Sequence, residues 1–261
     1  MEHLRSFPQL FFQQAARRPH AVAIRHKELG VWQEVSWSGY ERHVRLTAAA
    51  LLGLGVKAGE NVVILGENRP EWLYCDLATM AVGGTTCGIY PTSSPEQVAY
   101  IMKHCGARLI FVDGEEQLDK ILAIRAQAPV EKVVVWDRKG LWGFQDPNVT
   151  FFDDLVSIGG SKSADGLDGR LQAIEPDHTA VLIYTSGPTG PPKGAMLSHR
   201  NLILTARNAA AFDRVGGEVE VLSYLPMAWV GDHIFSYAQS ITSGFAINCP
   251  ESAATVLHDL K

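Results

Sequence analysis

Short apolar runs alternate with amphipathic stretches through the middle of this 261-residue chain. NVVILG (61–66), TTCGIY (85–90), RLIFVD (108–113) and KVVVWD (132–137) have strand length, and most offer apolar residues to both faces. Between them, PEWLYCDLATMAVG (70–83), a stretch from Ser94 to Lys103, and EEQLDKILAIRAQ (115–127) carry helical spacing. Two-faced apolar strands separated by helices of about 10–14 residues predict βαβ units and a parallel sheet covered on both sides. The expected fold class is α/β, with parallel-sheet layers flanked by helices.

Local signals extend this pattern in both directions. Residues 7–18 predict a short helix, and Val22–Trp37 a hairpin turning at Leu29-Gly30. Ser38-Gly39-Tyr40-Glu41 has the S-x-x-E form of a capping box, which predicts a helix from there to about Leu52, closed by Gly53 and Gly55. Ser94-Pro95-Glu96-Gln97 is a second such box with proline at the first helical position. Residues 138–178 break the rhythm: FFDDLVSI reads as one or two helical turns, and SIGGSKSADGLDGR as a linker. The apolar run then resumes with TAVLIY (179–184), a helix at NLILTARNAAAF (201–212) that Ser198 can cap, a strand at VLSYLP (221–226), a helix at HIFSYAQSITSG (233–244), a strand at FAINC (245–249) and a last helical stretch. The expected organisation is a helix, hairpin and helix in 1–60, an α/β lobe in 61–160, a linker in 161–178, and the start of a second lobe in 179–261.

Composition narrows the function classes. The chain is 46% hydrophobic and 20% charged, with net charge −5, and no basic block runs through it, so nucleic acid is not an expected partner. The four cysteines, Cys75, Cys87, Cys105 and Cys249, lack C-x-x-C spacing; reduced thiols in the cytoplasm are the plain reading. The start lacks the features of a signal peptide, and no apolar run approaches the ~20 residues of a membrane span. Its modest apolar patch, Phe7–Phe12, is the one feature that leaves a peripheral membrane contact open.

One loop concentrates chemistry. After TAVLIY comes Thr185, Ser186, Gly187, Pro188, Thr189, Gly190, two prolines, Lys193 and Gly194. Glycines let backbone N–H groups turn towards a phosphate, small hydroxyls add donors, and a lysine adds a mobile charge. This is not a Walker loop: Pro191-Pro192 stand between Gly190 and Lys193, and Gly194 replaces the expected Ser or Thr. Ala-Met-Leu after Gly194 predicts that the loop joins two strands, so a helix dipole is not the main phosphate trap. By composition alone, a turn-rich surface loop explains the stretch equally well; the ordered combination does not fit that reading.

YTSGPTGPPKGAMLSHRNL resembles the phosphate-binding signature of the adenylate-forming enzymes, which include acyl-CoA synthetases, luciferases and peptide-synthetase adenylation domains. The resemblance continues upstream through GENVVILGENRPEWLYCDLATMAVGGTTCGIYPTSSPEQVAYIMKHCGARLIFVD and downstream through VLSYLPMAWVGDHIFSYAQSITSG, and is nearest to the long-chain acyl-CoA synthetases. It implies a protein that joins a fatty or similar carboxylic acid to the α-phosphorus of ATP and then passes the acyl group to CoA. Two anions must meet in the first step, so catalysis rests on positioning and charge neutralisation, with Mg²⁺ sharing the second task. The resemblance implies that Thr185, Ser186, Gly187, Thr189, Gly190 and Lys193 hold the β- and γ-phosphates and that Thr185 helps ligate the metal. Trp229, where many relatives carry histidine, and His233 are its candidate substrate contacts; core packing explains Trp229 equally well, a helix-start role is the plainer reading of His233, and helix-start packing or solvent explains His199 as well.

Two departures qualify it. The family's adenine-binding turn, its Tyr-Gly-x-Thr-Glu segment, its ribose-binding aspartate and its C-terminal lysine have no match in these 261 residues. The expectation is therefore an N-terminal portion of the large domain, lacking the C-terminal portion of the same enzyme and inactive alone in acyl-CoA formation. A different acid-adenylating enzyme, a non-catalytic nucleotide-binding or scaffold protein, and a homodimer remain open. Second, Pro188 replaces the first threonine of the family's Thr-Thr pair, removing a hydroxyl and an N–H. A hydrogen bond to a charged group is worth about 1.5–3 kcal/mol, so Pro188→Thr is expected to tighten MgATP binding by calorimetry; unchanged or poorer affinity would remove the idea.

Overall fold

The computed structural model describes residues 5–161, 166–185 and 190–260. The chain opens with helix α1 (Phe7–Arg17), strands β1 (Val22–Glu28) and β2 (Val31–Ser36), and helix α2 (Trp37–Gly53). The hairpin turns where expected, with Leu29 and Gly30 both at positive φ, 49° and 78°, the conformation whose twist suits a two-residue hairpin. The cap of α2 is Ser36, not Ser38: the Ser36 hydroxyl accepts from the Gly39 N–H at 3.1 Å. Glu41 does not reach back to the cap but pairs with Arg45 one turn on, at 2.8 Å. The start is displaced because Trp37 is fully buried as the first helical residue. Phe7, Leu10, Phe11 and Phe12 are buried too, so this patch is core and is not available as a membrane face.

The predicted alternation follows: β3 (Asn61–Leu65), α3 (Pro70–Ala81), β4 (Thr85–Ile89), α4 (Pro95–Cys105), β5 (Leu109–Val112), α5 (Glu115–Ile124) and β6 (Lys132–Val135). The second capping box forms as read, with Ser94 and Gln97 satisfying each other's backbone N–H. Residues 138–178 hold more structure than expected. They contain the three-residue strand β7 (Val149–Phe151), the ten-residue helix α6 (Phe152–Ser161), and α7 (Leu167–Gln172). β7 is too short to show a period, yet it pairs in parallel with β6 at the sheet edge. α6 packs on α2, where a Cβ added at Gly159 would run into the Leu46 carbonyl oxygen.

β8 (Thr179–Thr185) and β9 (Lys193–Ser198) come next, then α8 (His199–Asp213), β10 (Glu220–Leu222), a short α9 (Val230–Asp232), a π-helical stretch (His233–Ala238), α10 (Gln239–Ser243), β11 (Ala246–Cys249) and α11 (Val256–Asp259). Ser198 caps α8 as anticipated, and Gly244, at φ 84°, ends the helix that was expected over 233–244. That helix is π-helical over its first half; a period-3.6 reading cannot see such a widened turn.

Two sheets result, one with the order β7-β6-β5-β3-β4-β8-β9 and one with β10-β11-β1-β2. The larger is parallel except for β9, which runs back along β8. The boundary expected at 161–178 does not separate two sheets: β8 extends the first sheet from the free edge of β4. It can do so because its residues alternate like those of its neighbours. Val62, Ile64, Phe111, Val181 and Ile183 enter one core with α1, α2, α3 and α8; Val63, Leu65, Ile110, Leu182 and Tyr184 enter or line the other with α4 and α5. The smaller sheet closes the first core through Ala23, Ile24 and Ile247. The cysteines are free, and Cys75, Cys87 and Cys249 are buried. Among the described residues no helix is long and apolar enough to cross a membrane.

Gly159→Ala is expected to force α6 off α2 and to destabilise the chain by about 1–3 kcal/mol, read as a lower urea midpoint with an unchanged slope.

Candidate functional site

β8 and β9 part at the carboxyl end of the sheet. Thr185 is the last residue of β8 and lies opposite Lys193, the first of β9. Both are exposed, as is Gly190, whose φ of +96° favours glycine. The structure thus brings a hydroxyl and an ammonium to one open strand end. Ser186, Gly187, Pro188 and Thr189 lie outside the described residues. Because β9 returns antiparallel, α8 begins at the other end of these strands, beside the start of β8, and its N-terminus lies away from the loop. Gly194 lets the strands close tightly here: a Cβ there would lie 3.3 Å from the Tyr184 ring across the ladder.

A second segment closes in beside β4. At Gly88 an added Cβ would come within 2.9 Å of the Ala228 Cα, so the bare strand is what lets residues 226–229 approach. Gly88 also pairs with Ile183, two residues before Thr185, which sets the segment next to the loop-bearing strand. Asn68, in the turn after β3, ties it down. Its amide nitrogen reaches the Leu225 carbonyl at 2.7 Å, the Ser223 hydroxyl at 2.9 Å and Asp232 at 3.0 Å, and its oxygen accepts from the Met227 N–H at 3.0 Å. Asp232 is buried and also accepts from Ser223 and Ser236, at 2.5 and 2.8 Å. Asn68, Ser223 and Asp232 were not singled out in the sequence; the Gly-Glu-Asn-Arg-Pro turn after a strand was the available signal.

Trp229 is 44% exposed, with its indole folded over Gly231, where any Cβ would enter the ring. It presents a flat apolar surface beside Ala228. His233 does not join it at an open wall. It is 1% exposed, held edge-on between Trp72 and Tyr237, with ring centroids at 5.8 and 5.0 Å. Its Nε2 faces Asp76 Oδ2 at 3.8 Å. His199 is likewise buried at the start of α8, which accords with helix-start packing.

The sequence matches the model of the AMP-binding enzymes over residues 11–261. The chain belongs to this family. It is 35% identical over 246 residues to the long-chain-fatty-acid–CoA ligase ACSBG1 of Homo sapiens, covering 90% of this chain and 33% of that protein. With the long-chain-fatty-acid–CoA ligase FadD15 of Mycobacterium bovis it shares 32% identity over 242 residues, 90% of this chain and 39% of that one. The crystal structure of the anthranilate CoA ligase AuaEII in complex with anthranoyl-AMP superposes with a TM-score of 0.84 at 20% identity, over 100% of this chain and 48% of that one. The chain therefore spans about a third of the length of the curated relatives it matches.

Within this AMP-binding fold three buried polar groups, Asp76, His233 and His199, hold unusual charge states. Burial pushes the Asp76 carboxyl up from 3.8 to about 7, although the Tyr237 and Thr86 hydroxyls pull it back. Neither carboxyl oxygen has a hydrogen bond of ordinary geometry. Burial holds His233 down at about 4, and His199 also at about 4. At neutral pH, Asp76 is thus in part a neutral acid and both imidazoles are uncharged. Among the described residues no group of three or more His, Cys, Asp or Glu is placed to hold a metal.

The native Asp76 binds its proton more tightly than the unfolded chain does. Its contribution is fully present below pH ~4 and is lost as pH rises through about 7. Asp76→Asn is therefore expected to stabilise the chain at pH 8 by up to about 4 kcal/mol, at 1.36 kcal/mol per pKa unit, with the gain shrinking towards pH 4. The two histidines act oppositely, losing stability as pH falls from 6.5 towards 4, so the variant is expected to denature more steeply in acid. Urea titrations at pH 8 and pH 5 measure both effects.

Proposed function

We propose that this chain is the triphosphate-holding portion of an ATP-dependent acid–thiol ligase that adenylates a fatty or similar carboxylic acid and transfers the acyl group to CoA. The observation that carries the reading is the β8–β9 strand end, where Thr185 and Lys193 stand opposite each other beside Gly190, in a family member whose relatives are named long-chain-fatty-acid–CoA ligases. In this reading Lys193 neutralises phosphate charge, and the backbone and hydroxyls from Thr185 to Gly190 donate to the β- and γ-phosphates. Magnesium suits the donor set, because Mg²⁺ takes few protein oxygens and is held mainly by phosphates and water; the exposed Thr185 hydroxyl is the ligand this chain offers. Trp229 walls the acid pocket, and His233 stiffens that wall from behind. The free cysteines fit a reducing, cytoplasmic setting.

The test is ATP–pyrophosphate exchange by the longer protein that carries this chain. Exchange is expected to depend on a long-chain fatty acid and Mg²⁺, and Lys193→Ala is expected to weaken ATP use about 10-fold or more, as befits a lost charged contact. Exchange driven only by aryl or amino acids would overturn the substrate class. No exchange with any acid would overturn the enzymatic reading. The 261-residue chain alone is expected to form no acyl-CoA.

A further inference from the structure

The loop that carries Lys193 is fastened on both sides by one helix outside its own hairpin. Tyr100 and His104 lie one turn apart on α4 and stack on each other, with ring centroids at 5.7 Å and planes 24° apart. The Tyr100 hydroxyl donates to the Pro192 carbonyl at 3.0 Å, on the outgoing limb of the loop. His104 Nδ1 shares a hydrogen bond of 2.6 Å with the Tyr184 hydroxyl, on the incoming limb. Pro192 and Tyr184 are the chain neighbours of Lys193 and Thr185. Tyr184 in turn lies across Gly194, so its ring also bears on the outgoing limb.

α4 is itself well seated. Its first turn is closed by the Ser94–Gln97 box, and Val98, Ala99, Ile101 and Met102 are buried in the second core. At its other end the Asn61 amide donates to the Cys105 carbonyl at 2.7 Å, and Gly106 terminates the helix at φ 67°. Two groups at i and i+4 on a helix so fixed form a rigid pair of contact points. An exposed strand end without such points frays, and a frayed end would leave the Thr185 hydroxyl and the Lys193 ammonium at variable separation.

We propose that Tyr100 and His104 are positioning residues for phosphate binding: together they clamp the two limbs of the β8–β9 loop and so fix the spacing between Thr185 and Lys193. This rests on the reading that the loop holds a triphosphate. The clamp itself is a statement about the strand ends and can be tested apart from it.

The experiment uses the 261-residue chain and two measurements. Amide hydrogen exchange is followed in peptides containing Tyr184–Thr185 and Lys193–Gly194, and binding of inorganic tripolyphosphate with Mg²⁺ is followed by calorimetry. Tyr100→Phe and His104→Ala are each expected to speed exchange at the strand ends by about 3- to 10-fold, as for one lost hydrogen bond, and to weaken tripolyphosphate by a similar factor. Exchange in β3 and β5 is expected to stay as in the wild type. His104→Asn, whose side-chain amide stands where Nδ1 stood, is expected to restore both readouts. Strand-end exchange that is unchanged in Tyr100→Phe and His104→Ala would overturn the clamp, and so would exchange that rises equally throughout the sheet. If the wild type binds no tripolyphosphate but the exchange pattern is as expected, the clamp stands and the triphosphate reading falls. If binding is present and exchange does not respond, the triphosphate reading stands and the clamp falls.

Discussion

The central strands carry apolar side chains on both faces, and a parallel sheet of that kind must be covered on both sides. Every larger feature of the chain answers to that demand. Val63, Leu65, Ile110 and Val112 require the layer made by α4 and α5; Val62, Ile64, Phe111 and Ile183 require the layer made by α1, α2 and α3. The second layer is thick enough to need an outer cover of its own, which the smaller sheet provides from two distant pieces of sequence, β1–β2 and β10–β11. The short parallel pairing of β1 with β11 thereby joins the beginning and the end of the chain.

The same sheet places the candidate site. Parallel strands all end at one edge, and the turns after them converge there. Asn68 leaves from β3, Gly88 lies near the end of β4, and Thr185 ends β8. The segment 226–229 is pulled onto this edge by polar contacts from Asn68 and by the missing side chain at Gly88. Next to it, the fold accepts a buried carboxyl, Asp76, and a buried imidazole, His233. Their shifted charge states follow from burial, and they show that packing around Tyr237 and Trp72 outweighs the cost of desolvating Asp76 and His233.

Much of the architecture was legible in the chain because local signals and burial agreed. The strands β3 to β6, the helices between them, the Leu29-Gly30 turn and the Ser94 box each carried their own period or cap. What failed did so for nameable reasons. Ser38 satisfies the same four-residue pattern as a true cap, but burial of Trp37 moved the helix start to Ser36. β7 has three residues and no period of its own. The π-helical turn at His233–Ala238 looks, in sequence, like an ordinary amphipathic helix. Gly-, Ser- and Asp-rich composition marked 161–178 as a linker, although Leu167 anchors a helix there in the first core.

For the site, the order of residues alone was enough to mark a strand–loop–strand with Thr185, Gly190 and Lys193, because the chemistry of a phosphate cradle is written in consecutive positions. The partners of that loop are not consecutive with it. Tyr100 and His104 meet Pro192 and Tyr184 only because β4 and β8 are neighbours in the sheet, which sets α4 against the loop. Asn68 meets Met227 across more than half the chain. His233 could be read as a substrate contact or as a helix-start residue, and nothing in the sequence showed that it would face Asp76. Sequence determined the elements and the local chemistry, since propensity, caps and spacing act over a few residues. Tertiary structure decided which of those groups face each other, since strand order and helix packing are set by burying both faces of one sheet.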